Sequence, residues 1–157
     1  MFKNVIWATD GSEAAERALP IALQLVQDSR GKLFVVHADE ILGGRAGGFS
    51  GLADEEDVRT ELRAKVAELV STGVDAEFRV GRGVNKDPAD LVSGTARKLA
   101  ADVIVVGTRG HGRVAGMLLG SVTQRLLHVA PCPVLAVPVH ARVPVAAEPE
   151  KLAAGTS

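Results

Sequence analysis

The chain has 157 residues, 46% of them apolar and 24% charged, with 18 basic against 19 acidic side chains and a formal net charge of -1. That length and composition suit one domain with a substantial core, and the balanced charge gives no global attraction to nucleic acid or anionic lipid. A single cysteine, Cys132, excludes an internal disulfide and a cysteine-cluster metal site.

The first residues, MFKNVIWATDGSE, hold one lysine and a short apolar run that meets charge at Asp10. This is neither a signal peptide nor a membrane span, so the expected location is the cytoplasm. Strand-like runs rich in Val and Ile follow at Asn4–Thr9, Lys32–Ala38, Asp75–Val80, Asp102–Gly107 and Pro133–Val139. Their apolar character is continuous rather than alternating, which marks strands covered on both faces, as in a parallel sheet.

Helical patterns lie between them. Ala15, Ala18, Leu19, Ala22, Leu25 and Val26 recur at helical spacing up to a stop at Gly31, with a kink expected at Pro20. Val58, Leu62, Val66, Leu69 and Val70 form a second stripe, read as starting at Asp54 with acidic residues in its first turn and ending at Gly73. A third helix opens near Pro88, and a fourth opens at Ser121 and stops before Pro131. Gly43–Gly51 reads as a flexible loop, and His140–Ser157, rich in Ala and Pro without an apolar period, reads as a loose tail. Strands alternating with helices of this length imply a doubly wound α/β domain.

In such sheets ligands bind beyond the carboxyl ends of the strands, where the strand order reverses. Two loops qualify: Thr9-Asp10-Gly11-Ser12-Glu13 after the first strand, and Gly107 to Ser121 after the fourth. The second holds five glycines, Gly107, Gly110, Gly112, Gly116 and Gly120, more than a turn requires. It runs into a helix start whose free N–H groups favour an anion, and a polyphosphate is the natural guest. No Gly-x4-Gly-Lys-Ser/Thr loop is present, and no Gly-x-Gly-x2-Gly fingerprint follows the first strand.

The spacing Gly107-x2-Gly110-x9-Gly120-Ser121, the opening ATDGSEAAERAL, the VVHA of the second strand and the closing GSVTQRLLHVAPCPVLAV resemble the universal stress protein family from about Phe2 to Val139. The resemblance implies a five-stranded parallel sheet of order 3-2-1-4-5, Rossmann-like and similar to the adenine nucleotide alpha hydrolases, in a domain of residues 1–139 with residues 140–157 as the tail. It also implies that Gly107, Gly110, Gly120 and Ser121, with Thr108, Arg109, Val122 and Thr123 beside them, cradle the phosphates of ATP. Thr9 and Asp10 would meet the ribose, the phosphates or their Mg²⁺ or Mn²⁺, and the Ala38 backbone would read adenine. A homodimer through Pro133–Val139 is implied too, and that run has no Lys or Glu to deter pairing.

Plainer readings stand beside these. Asp10 with Glu13 could be a capping box and Ser121 an N-cap. Arg109, His111 and Arg113 suit phosphate neutralisation or plain solvation equally. His37 reads as a core histidine, His128 as packing or surface, and Cys132 as a small apolar filler. The function expected is an ATP-binding regulator of the stress response. The alternatives are a slow ATPase or nucleotidyl transferase, for which no catalytic pair is evident, and a nucleotide-free scaffold for a protein partner.

Overall fold

The computed structural model describes residues 1–41, 49–109 and 119–141. Five strands, β1 (Asn4–Ala8), β2 (Lys32–Ile41), β3 (Ala76–Val84), β4 (Val103–Gly107) and β5 (Val134–Val137), form one sheet in the order β3-β2-β1-β4-β5. Every pairing is parallel, with Trp7 opposite both Val35 and Val105. The helices are α1 (Glu13–Glu16), α2 (Leu19–Ser29), α3 (Phe49–Ser71), α4 (Pro88–Lys98) and α5 (Ser121–Val129).

Strand parity sorts the core into two layers. Val5, Trp7, Leu33, Val35, Val103 and Val105 face α2 and α3 with Ala22, Val26 and Leu62. Ile6, Val36, Ile104 and Val106 face α4 and α5 with Val92, Ala96 and Leu126. Because both faces are covered, β1 and β4 are buried along nearly their whole length, which is why their sequences show no polar alternation.

The local chain departs from its sequence-based reading in several places. The first helical stretch is two helices, and Pro20 lies in the first turn of α2 rather than kinking a longer helix. There its missing N–H costs nothing. Arg30, in the left-handed conformation at φ 50°, ends α2 one residue before Gly31. Helix α3 begins at Phe49, so residues 49–51 of the expected loop are helical and Asp54 to Asp57 lie past the first turn; residues 43–48 are outside the described part. Strand β5 is shorter than Pro133–Val139, since Pro138 cannot donate to a ladder.

The chain past β5 stays in contact with the domain for at least two residues. The Ala141 N–H donates to Pro138 O at 2.9 Å, and its side chain packs on the α2 layer. Cys132 is half-buried against the α5 layer, and burial pushes its thiol above the usual range, in keeping with a filler. No described helix is long and apolar enough to cross a membrane.

Candidate functional site

Strands β1 and β4 are neighbours at the centre of the sheet, and the chain leaves them toward opposite faces, β1 into α1 and β4 into α5. The carboxyl ends of these two strands therefore open a crevice between diverging loops, with Asp10 on one side and Thr108 and Gly120 on the other.

The β1 corner is tightly bonded. Thr9 is buried, its N–H donates to Val36 O at 3.0 Å, and its Oγ1 accepts from the Gly11 N–H at 3.1 Å. Asp10 is half-buried and its Oδ1 accepts from the Ser12 N–H at 3.0 Å. The N-cap of α1 is Ser12, whose Oγ accepts from the Ala15 N–H at 3.2 Å. The capping-box reading of Asp10 and Glu13 is thus displaced by two residues. Asp10 braces the turn ahead of the cap. Gly11 makes the turn with φ +78°, and a Cβ there would lie 3.0 Å from Val58 Cγ1 of α3. Both the backbone and the packing select glycine.

The β4–α5 junction is sewn at its neck. The Gly120 N–H donates to Thr108 O at 2.7 Å, and the Thr108 N–H donates to Val137 O at 2.9 Å. The Thr123 hydroxyl, buried, donates to Gly107 O at 2.8 Å. The two ends of the long glycine loop are therefore adjacent, although Gly110, His111 and Arg113 lie outside the described residues. Gly120 is the N-cap of α5 with φ -67° and ψ 156° and gives no side-chain cap; Ser121, exposed, is the first helical residue rather than the cap.

The first intrahelical bond runs from the Gln124 N–H to Gly120 O at 2.9 Å. The N–H groups of Ser121, Val122 and Thr123 precede it and point out of the helix end, where they suit an anion. Side chains of Val122 and Thr123 turn inward, Val122 onto the α5 layer and Thr123 to Gly107, so their offer to a ligand is main-chain N–H. Arg109 is exposed beside this neck, and His128 is exposed in the last turn of α5.

Gly107 has a packing reason for its identity. A Cβ at that position would lie 2.6 Å from Ala14 O and 3.2 Å from Ala15 Cα, so the first glycine of the motif lets α1 sit against the end of β4. Trp7 holds the same turn from the other side, its indole N–H donating to Ala15 O at 3.0 Å.

The third wall was not anticipated in full. Strands β2 and β3 run on to the pair Ile41 and Val84, five residues beyond the last β1 partner of β2, Val36. On this overhang Ala38 pairs with Gly81, and its N–H and C=O lie on the β1 side of β2, as do those of Lys32 and Val36. They thus face the crevice just past Thr9. Helix α3 is tied to the same overhang. Asp39, buried, accepts from Arg59 Nη1 at 2.6 Å with Arg82 Nε at 3.4 Å, and Glu56 takes Arg59 Nη2 at 2.6 Å.

His37, 3% exposed, has Nδ1 3.0 Å from Thr9 O and Nε2 2.7 Å from Glu55 Oε2. The core assignment of His37 holds for its burial, yet its ring is engaged at both nitrogens beside the site. Glu55 and Arg59, four apart on α3, match His37 and Asp39, two apart on β2. Each pair shares a face by its own period, but only the packing of α3 on β2 makes the two faces meet.

The profile of the Universal stress protein family matches residues 1–138. The chain belongs to this family. A relative from Thermus aquaticus, the universal stress protein in the QAH/OAS sulfhydrylase 3' region, is 37% identical over 141 residues, which cover 87% of this chain and 99% of that one. Among solved structures, the universal stress protein UspA from Lactobacillus plantarum is similar with a TM-score of 0.73 at 19% identity, covering 86% of this chain and 97% of that chain, a likeness of fold. A universal stress protein solved in complex with cAMP is similar with a TM-score of 0.64 at 28% identity, covering 87% and 97%. The strand order and the family expected from the motifs are those found.

A divalent ion at this site would have few protein ligands. No group of three or more His, Cys, Asp or Glu among the described residues could hold one. Asp10 is a carboxylate at the crevice, and one such ligand suits a cation that keeps most of its other positions for water or phosphate oxygens, as Mg²⁺ usually does.

Proposed function

We propose that the chain binds an adenine nucleotide, ATP in preference, in the crevice between β1 and β4 and acts as a regulator rather than as an efficient enzyme. The observation that carries this is the sewn neck of the glycine loop. It sets the three leading N–H groups of α5 at the strand switch point, across from Asp10 and one strand away from the Ala38 backbone. Phosphates would lie on Gly107, Thr108, Arg109, Gly110, Gly120, Ser121, Val122 and Thr123. Thr9 and Asp10 would meet the ribose or a phosphate-bound Mg²⁺ or Mn²⁺, and Ala38 the base. The cAMP complex of a 28% identical family member supports an adenine-containing ligand. Nucleotide occupancy would then favour one conformation or assembly over another, read by a protein partner in the cytoplasm.

The same reading includes a homodimer through β5. This strand is a sheet edge without a charged residue, Leu135 is 40% exposed on it, and Leu127 of α5 is exposed beside it. An uncharged edge invites a second copy about a two-fold axis. Residues 142–157 of the expected tail lie outside the described residues. Titration calorimetry with Mg-ATP, AMP and cAMP tests the ligand, with Gly120→Val as the control. The backbone at Gly120 is ordinary, so the variant is expected to stay folded while losing the phosphate seat. No binding of any of the three at millimolar concentration sinks the reading. A monomeric mass by light scattering at tens of micromolar sinks the dimer.

A further inference from the structure

The Thr9–Asp10 corner is held by a group that the nucleotide reading leaves unused. A parallel ladder continued one rung past Val36 would present the Thr9 carbonyl to the Ala38 N–H. That carbonyl instead accepts from His37, with Nδ1 at 3.0 Å. His37 thereby stands in for the ladder donor, and the Ala38 amide is turned to the crevice at the place where the base is expected. A carbonyl only accepts, so Nδ1 carries a hydrogen.

The other ring nitrogen then poses a question of proton count. Nε2 lies 2.7 Å from Glu55 Oε2. With hydrogen on Nδ1 alone, Nε2 would set a lone pair against a carboxylate, and so short a contact would repel. The contact therefore contains one further proton, on the imidazole or on the carboxyl. The ring's hydrogen-bond partners are Glu55 of α3 and the Thr9 carbonyl, one residue past the end of β1. Arg59 and Arg82 both turn to Asp39, which leaves Glu55 as the carboxylate on the ring. Glu55 is 41% exposed on its side chain and can turn to water, whereas His37 is 4% exposed and cannot. Helix α3 is in turn packed on the corner through Val58 against Gly11 and through Lys65 Nζ to Glu16 Oε2 at 2.5 Å.

We propose that His37 and Glu55 are positioning residues for the adenine end of the site: His37 takes the Thr9 carbonyl and frees the Ala38 amide for the base, and Glu55 locks the ring through one shared proton. The inference rests on the nucleotide reading for its ligand.

The test uses the full chain with two probes, adenosine, which carries no phosphate to titrate, and inorganic tripolyphosphate, which carries no base. His37→Ala is expected to weaken adenosine about ten-fold, the usual effect of one hydrogen bond, and to leave tripolyphosphate within about two-fold. Glu55→Ala should also weaken adenosine and spare tripolyphosphate, whereas Glu55→Gln should keep most of the adenosine affinity, because an amide can donate to Nε2. Equal loss of both probes in His37→Ala, or adenosine affinity unchanged in Glu55→Ala, overturns the proposal. Imidazole ¹⁵N signals of the ligand-free chain give a reading independent of binding. Hydrogen on Nδ1 supports the lock, and an Nδ1 without hydrogen overturns it. Binding of neither probe, with those signals as expected, refutes the nucleotide reading and leaves the lock standing.

Discussion

Replacing Gly107 by alanine separates two reasons for a glycine at the head of the loop motif. If the residue serves only a phosphate, Gly107→Ala should weaken binding and leave the ligand-free fold intact. The structure gives it a role without ligand, because the added methyl would lie 2.6 Å from Ala14 O and 3.1 Å from Ala14 C, both main-chain atoms. Main chain cannot rotate aside as a side chain can, so α1 must shift. Overpacking of this kind costs about 1–3 kcal/mol. Moving α1 also strains the buried bond from the Trp7 indole to Ala15 O, which adds roughly 1 kcal/mol.

The gain from a less flexible unfolded chain returns about 0.4–1 kcal/mol, so a net loss of about 1–3.5 kcal/mol is expected. For a chain of this size that lowers Tm by roughly 2–14 °C. Gly94→Ala is the matched control. It is the same chemical change inside α4, where a Cβ meets nothing within 4 Å, and the helix should gain about 0.8–1 kcal/mol. Calorimetric melting of both variants without nucleotide decides the matter. A Gly107→Ala protein that melts within about 2 °C of the unaltered chain refutes the packing argument.

Two further outcomes are expected. Arg59→Met leaves the buried Asp39 carboxylate, among the described residues, with the longer Arg82 contact alone, so urea denaturation at neutral pH should show a loss of about 2–4 kcal/mol, and the additional change Asp39→Asn should recover part of it. Asp102 accepts the Lys3 and Asn4 N–H groups at 2.7 and 2.8 Å, which hold its carboxyl below the usual range. A lowered folded-state pKa stabilises above the ordinary aspartate value of about 3.9 and is lost as pH falls below it; Asp102→Asn should therefore be less stable at neutral pH and show a shallower acid-induced loss, and an unchanged acid limb would count against the tether.

Val- and Ile-rich runs, read with no partner in view, were enough to place the five strands, since continuous apolarity has one physical cause in a domain this small, burial on both faces of a parallel sheet. The order 3-2-1-4-5 and the ligand came from motif resemblance rather than from periodicity, and the sheet has that order. Local signals also found Pro88 at the head of α4 and the stop at Gly73 after α3; the structure adds Asp87 as the cap of α4 and a left-handed conformation at Gly73. They misplaced the cap of α1, because Asp10 and Ser12 both suit a helix start and only the path of the turn through Gly11 chooses between them. They also cut β2 and β3 short, because the overhang from Ala38 to Ile41 is held by pairing with β3 and by the Asp39–Arg59 ion pair, not by apolar character of its own.

What tertiary structure alone decided is which distant groups share the crevice. Thr9, His37 and Glu55 come from three elements, and Gly107 and Ala14 from two more. Nothing in their local spacing distinguishes a histidine filling a core from one that holds a carbonyl and a carboxylate, or a glycine awaiting phosphate from one making room for a helix. Secondary structure follows from periods of two and 3.6 residues, which the chain carries in itself. A site follows from the layer in which each face is buried, and that is settled only when α3 and α1 pack on the sheet and bring side-chain donors to main-chain acceptors from other elements.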